Sequence, residues 1–100
     1  MRRDDLIQLL PAITQLCAAY GVTELAVFGS VARGDERQDS DVDLLYVRGP
    51  NAVRGLAFFG LEEDLEKLLG THVDLVPKNG LNRLIRDEVL ADAEVIYAAA

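Results

Sequence analysis

A small α/β (α+β) domain, a mixed β-sheet with helices packed on it, is what this sequence predicts, and three observations carry the prediction. Apolar residues recur at helical spacing in two long stretches, Leu6 to Tyr20 and Leu61 to Leu69. Short apolar runs bounded by glycine, proline or polar residues fall between and after them, as strands do. The resulting order α, β, loop, β, α, β, α, β suits neither a helical bundle nor a sandwich. With 100 residues, half of them apolar, the chain supports one hydrophobic core, so a single domain spanning residues 1–100 is expected.

The first helix is marked by Leu6, Leu9, Leu10, Ile13, Leu16, Cys17 and Tyr20, which lie on one face at 3.6-residue spacing. Asp4 or Asp5 can cap its start, and Gly21 suits the left-handed position beyond its end. Pro11 removes a backbone donor, so a kink or two short helices are expected. Thr23 to Phe28 reads as a strand, followed by a polar, glycine-containing stretch from Gly29 to Ser40. Asp41 to Val47 is a second strand, closed by the turn residues Gly49-Pro50-Asn51. Leu61, Leu65, Leu68 and Leu69 mark a helix that begins near Gly60 and ends at Gly70. His72 to Val76 is a third strand, Leu81 to Ala91 a helix, and Ala93 to Tyr97 a fourth, edge strand. Cys17, Phe58 and Phe59 are assigned to the core, although adjacent phenylalanines cannot both face one side.

Charge excludes one class of function. Seventeen acids against ten bases leave a formal charge of −7, which opposes binding a phosphate backbone over a large surface. Autonomous nucleic-acid binding is therefore not expected, whereas a small phosphate ligand accompanied by divalent cations remains compatible. No apolar run approaches the roughly 18 residues of a membrane span, and Met1-Arg2-Arg3-Asp4-Asp5 does not read as a signal peptide. A lone cysteine, Cys17, cannot form an internal disulfide, so a reducing, cytoplasmic setting is expected. A lone histidine, His72, argues against zinc sites of Cys and His and is expected to pair with a neighbour.

The chemistry-bearing segment runs from Phe28-Gly29-Ser30-Val31-Ala32-Arg33 to Ser40-Asp41-Val42-Asp43. Residues i and i+2 of a strand project from one face, so Asp41 and Asp43 stand side by side. Two carboxylates that close repel unless a cation lies between them, and oxygen ligands at this spacing suit Mg²⁺. Asp74 alternates with Val73 and Leu75 and can extend the pair from a neighbouring strand. Three such carboxylates can hold two metal ions and still receive a proton, the arrangement used for in-line phosphoryl or nucleotidyl displacement. A glycine after a strand lets backbone approach a phosphate, Ser30 adds a hydroxyl donor, and a helical turn opening at Val31 would aim free N–H groups at an anion. Arg33 adds positive charge nearby. Arg33-Gly34-Asp35 also matches a cell-adhesion tripeptide, read here as coincidence.

Each signal is common by itself; their order is specific. Gly29-Ser30, ten residues, then Asp41-Val42-Asp43 resembles the nucleotidyltransferase superfamily related to DNA polymerase β. Together with Ala26-Val27-Phe28, Ala32-Arg33-Gly34, Asp39-Ser40, Leu68-Leu69-Gly70, Val73-Asp74-Leu75-Val76, Val89-Leu90 and Glu94-Val95-Ile96-Tyr97, it is similar to the minimal nucleotidyltransferase (MNT) domains of bacteria and archaea. That resemblance implies a polymerase β-like core in which Gly29 and Ser30 bind the triphosphate of ATP. It implies that Asp41 and Asp43 hold Mg²⁺ and that Asp74, the third carboxylate, assists the acceptor hydroxyl as base. It further implies an antitoxin that transfers AMP to a tyrosine of a HEPN-domain ribonuclease toxin. Two alternatives stay open: a non-catalytic antitoxin that occludes the toxin, and a small-molecule nucleotidyltransferase of aminoglycoside-modifying type working with a separate subunit.

Overall fold

A computed structural model describes residues 1–34 and 41–99. The amino-terminal helical stretch divides where Pro11 requires it, into α1 (Arg3–Gln8) and α2 (Leu10–Tyr20), with Leu9 at the junction. Pro11 falls in the first turn of α2, where its missing N–H would have had no intrahelical acceptor. The expected capping role of Asp4 or Asp5 needs correction, because Arg2 occupies the N-cap position. Asp5 lies inside the first turn and its carboxylate accepts the Arg2 backbone N–H at 3.2 Å.

Strand β1 (Val22–Phe28) leads directly into a short helix α3 (Gly29–Arg33), so the polar stretch predicted after it begins as a helical turn. Strand β2 (Val42–Arg48) follows, and Asp41 sits immediately before it rather than inside it. After the turn at Pro50 and Asn51, a 3-10 segment (Gly55–Phe59) runs into α4 (Gly60–Leu69). Strand β3 (Val73–Pro77), a 3-10 turn (Lys78–Gly80), α5 (Arg83–Asp92) and β4 (Glu94–Ala98) complete the chain. The 3-10 segment before α4 has no signature in the periodicity. The predicted start of α5 at Leu81 moves to Arg83 because Asn82 is the cap, its side chain accepting the Leu84 N–H at 2.9 Å.

The four strands form one mixed sheet in the order β3-β2-β1-β4. β1 is antiparallel to both β2 and β4, while β2 and β3 are parallel. A parallel pair cannot be joined by a tight hairpin, and α4 supplies the crossover. β4 lies at the edge, as its position in the sequence suggested.

The two faces of the sheet are unequal. Leu25, Val27, Val42, Leu44 and Val73 pack against Leu6, Ile13, Cys17, Leu61, Leu65 and Leu69, which come from α1, α2 and α4. The opposite face carries a smaller cluster of Ala26, Leu45 and Leu81, flanked by Phe28, Val76, Val89 and Ala93. No residue of α5 is fully buried, and its Leu84 is 91% exposed. Phe58 enters the core, whereas Phe59 is 66% exposed, which corrects its assignment there. The cause is alternation: only one of two adjacent side chains can point inward. Among the described residues no helix is long and apolar enough to cross a membrane.

Cys17 is fully buried in the larger core, and burial pushes its thiol pKa up to about 11. Thiolate is the reactive form. Alkylation at pH 8 is therefore expected to be negligible in the folded protein and rapid in denaturant. Equal rates under both conditions would show that α2 opens readily from the sheet.

Candidate active site

Strand register, which is set by backbone pairing, brings the predicted carboxylates together. Val42 and Leu44 point into the larger core, so Asp43 projects with Leu45 from the opposite, thinly covered face. β3 runs parallel to β2 with Asp43 opposite Asp74 and Val42 opposite Val73. The Val42 N–H donates to the His72 carbonyl at 3.0 Å, which places Asp41 and His72 at the same end of the sheet. Across the other edge of β2, Phe28 pairs with Asp43, so the chain leaves β1 for α3 directly beside this carboxylate.

These acids disturb one another. Partial burial raises the Asp43 pKa above the usual carboxylate range, and the Asp74 charge, a hydrogen bond with Asp74 and the Asp41 charge raise it further. The Arg33 guanidinium opposes them. Carboxylates clustered at such cost behave as a site short of positive charge. Asp41, His72 and Asp74 each offer one donor atom, and these atoms lie within 4.8 Å of one another. Oxygen-rich donors gathered on two adjacent strand ends fit a hard divalent cation such as Mg²⁺. Asp43, expected in the same set, is in hydrogen-bonding reach of Asp74 from the half-buried side.

His72 pairs with neighbours, as expected, but with two of them. Its Nε2 lies 3.1 Å from Asp74 Oδ1 and its Nδ1 2.8 Å from Glu66 Oε2. The hydrogen bond with Asp74 raises the His72 pKa above its ordinary value. The sequence contained a signal for the first pairing, since His72 and Asp74 are two apart in a strand-like run and so lie on one side. It contained none for Glu66, which arrives from α4.

Gly29 earns its place through geometry. Its φ is 74°, a left-handed value, and a Cβ added there would overlap Asp43 Oδ2. Only glycine allows the backbone to pass this close to the carboxylate. Ser30 lies half-buried in the first turn of α3. Arg33, at the end of α3, makes a 3.0 Å ion pair with Asp92 of α5, while its charge still reaches Asp43. Asp35, Asp39 and Ser40 lie outside the described residues.

A cleft of about 350 Å³ opens beside these groups, with Asp43 and Asp74 at one side and Phe28, Val76, Leu81 and Ile85 as apolar wall. A larger cavity, about 460 Å³, lies toward the far end of β2, lined by Tyr46, Arg48, Lys78 and Arg86. Among the described residues its lining includes no carboxylate. Two of its cations are already engaged, Arg48 with the Val53 carbonyl and Lys78 with Glu24. The smaller cleft is the one placed to bind a phosphorylated ligand against clustered metal-type donors.

Comparison with known proteins agrees with this geometry. The family model of the nucleotidyltransferase domain matches residues 12–96. The protein adenylyltransferase MntA of Thermococcus cleftensis is 47% identical over 83 residues, which cover 83% of this chain and 81% of that protein. A solved chain described as a candidate minimal nucleotidyltransferase is 41% identical, covers 94% of this chain and 95% of its own, and superposes with a TM-score of 0.77. The same fold occurs in a Shewanella oneidensis complex described as a tri-AMPylated HEPN toxin with MNT antitoxin. That match is 19% identical, with a TM-score of 0.66, and covers 93% of this chain and 73% of the matched one.

Proposed function

The chain belongs to the nucleotidyltransferase domain family, in its minimal form, and from that premise we propose that it is a protein adenylyltransferase acting as an antitoxin. Its donor is ATP and its acceptor a tyrosine hydroxyl of a cognate HEPN ribonuclease toxin. The observation that carries this reading is the register of Asp43 against Asp74, with Asp41 at the same sheet end and the side-chain-free Gly29 beside them. The similarity to an adenylyltransferase at 47% identity supports the choice of a protein acceptor. We read residues 1–100 as one catalytic domain, working where its single thiol stays reduced.

Two Mg²⁺ ions held by Asp41, Asp43 and Asp74 would supply the positive charge that a triphosphate and its leaving group require. Gly29 lets the phosphates approach the backbone, and the Ser30 hydroxyl donates to a phosphate oxygen. The apolar wall of Phe28, Leu81 and Ile85 receives the nucleoside. Asp74 accepts the proton of the acceptor hydroxyl as its oxygen bonds to the α-phosphorus. The bond from that phosphorus to the leaving oxygen breaks, and pyrophosphate departs. Arg33, already paired with Asp92, balances charge near Asp43. A ribonuclease must attract RNA, so a surface of net charge −7 is complementary to it. Each AMP added to the toxin brings negative charge and bulk, which repels RNA.

Intact mass of a candidate HEPN-domain acceptor protein, after incubation with the chain, ATP and Mg²⁺, tests the reading. A gain of one or more AMP units is expected, and excess EDTA is expected to abolish it. A stable complex with no gain in mass would replace catalysis with occlusion. Neither complex nor mass gain would redirect the search to a small-molecule acceptor.

A further inference from the structure

We propose that His72, clamped by Glu66, is a positioning residue that holds the Asp74 carboxylate in its place against Asp43. The inference rests on reading this cluster as the nucleotidyl-transfer centre. Asp74 needs such a restraint. Its side chain is 53% exposed near the start of the short strand β3, with solvent free to compete for its oxygens. Two torsions separate its carboxylate from the backbone, and reaction requires it within hydrogen-bond reach of an incoming hydroxyl.

The restraint is a chain of contacts that begins in the core. α4 is anchored by Leu61, Leu65 and Leu69, all buried against the sheet. Glu66, in the last turn of that helix, extends to the start of β3, where its Oε2 accepts the Val73 N–H at 3.0 Å. The same oxygen lies 2.8 Å from His72 Nδ1, so the carboxylate is pinned by backbone before it pins the ring. His72 Nε2 then lies 3.1 Å from Asp74 Oδ1. Each ring nitrogen therefore faces a carboxylate oxygen. The ring thus bridges the anchored Glu66 to Asp74, which assigns His72 to orienting that carboxylate. Outer partners of this kind commonly change activity by about 10–100-fold.

His72 is the one histidine of the chain, so ring ¹⁵N resonances report it without ambiguity. In the full protein each ring resonance is expected to report the carboxylate beside it, Nδ1 that of Glu66 and Nε2 that of Asp74. Asp74→Asn should shift Nε2 and Glu66→Ala should shift Nδ1. In steady-state AMP transfer, His72→Ala should lower kcat about 10–100-fold and leave the ATP KM within about twofold. His72→Gln, whose amide can donate where Nε2 does, should recover part of the loss. The double variant with Glu66→Ala should lose no more than His72→Ala alone, because one acts through the other. Unchanged kcat in His72→Ala, a loss confined to KM, or ring resonances indifferent to Asp74→Asn would each overturn the proposal. Ring resonances that respond to Asp74→Asn, together with no AMP transfer by the wild-type protein, would uphold the clamp and overturn the adenylyltransferase reading alone.

Discussion

Replacing Asp43 with asparagine is expected to abolish nucleotidyl transfer and, in the same protein, to raise the melting temperature measured without divalent metal. The two effects share a cause. Asp43 is partly buried beside Asp74 and Asp41, and all three features favour its protonated form. Its folded pKa thus lies above its unfolded one. Between those two values the native chain holds more protons than the unfolded chain, so stability falls as pH rises through that window. Above that window the whole penalty is in force. Asparagine keeps the shape, carries no charge, and relieves it, which should raise the midpoint by a few degrees above that window and by almost nothing below it. Exposure of the site to solvent keeps the gain modest. Transfer should fall by more than the roughly 100-fold that loss of an outer-shell partner costs. Asp41→Asn should match it in activity, with a smaller gain in stability because Asp41 is exposed. Melting curves over a pH series and AMP incorporation by mass check both arms. Full-rate transfer by Asp43→Asn would remove that residue from the metal set.

Gly29→Ala is expected to be nearly as damaging to transfer, for a steric reason. A side chain at φ 74° is strained in itself, by about 1 kcal/mol, and its Cβ would collide with Asp43 Oδ2. The carboxylate must rotate away or the start of α3 must shift, and either breaks the juxtaposition of phosphate loop and carboxylate. Gly34 separates the two causes. It ends α3 with φ 80°, and among the described residues a Cβ there meets nothing within 4 Å. Gly34→Ala should therefore incur similar backbone strain, seen as a similar drop in the urea midpoint, while transfer survives. Equal loss of transfer in both variants would show that α3 tolerates no strain anywhere and that the Asp43 collision is not decisive.

Local physics explains what was legible in the linear order of residues. Period-2 alternation alone puts Asp43 opposite Leu44 in direction, and the same rule makes Asp74 share a side with His72. Pro11 forces the break between α1 and α2 through its own missing donor, and the edge position of β4 agrees with its place at the end of the chain. Side-chain type alone does not say where a helix begins or which of two neighbours points inward. The pattern offers Asp5 as a cap, yet the helix begins at Arg3 and uses Asp5 from inside. The pattern places Phe59 in the core with Phe58, but only Phe58 points inward, its ring tilted at 5.2 Å from Tyr46 and beneath the Arg48 guanidinium.

Residue types, spacing and alternation were sufficient for the class of fold, the order of its elements, and the choice of Gly29, Ser30, Asp41, Asp43 and Asp74 as candidates. These properties are encoded within a few residues of one another. Tertiary structure alone decided that β3 lies parallel to β2 with Asp74 in register with Asp43. It also decided that Glu66 reaches His72 across the α4–β3 turn, and that Arg33 meets Asp92 from 59 positions away. Strand order and such long-range pairings depend on which packing of helices buries the most apolar surface. That is a property of the whole chain, and no local pattern contains it.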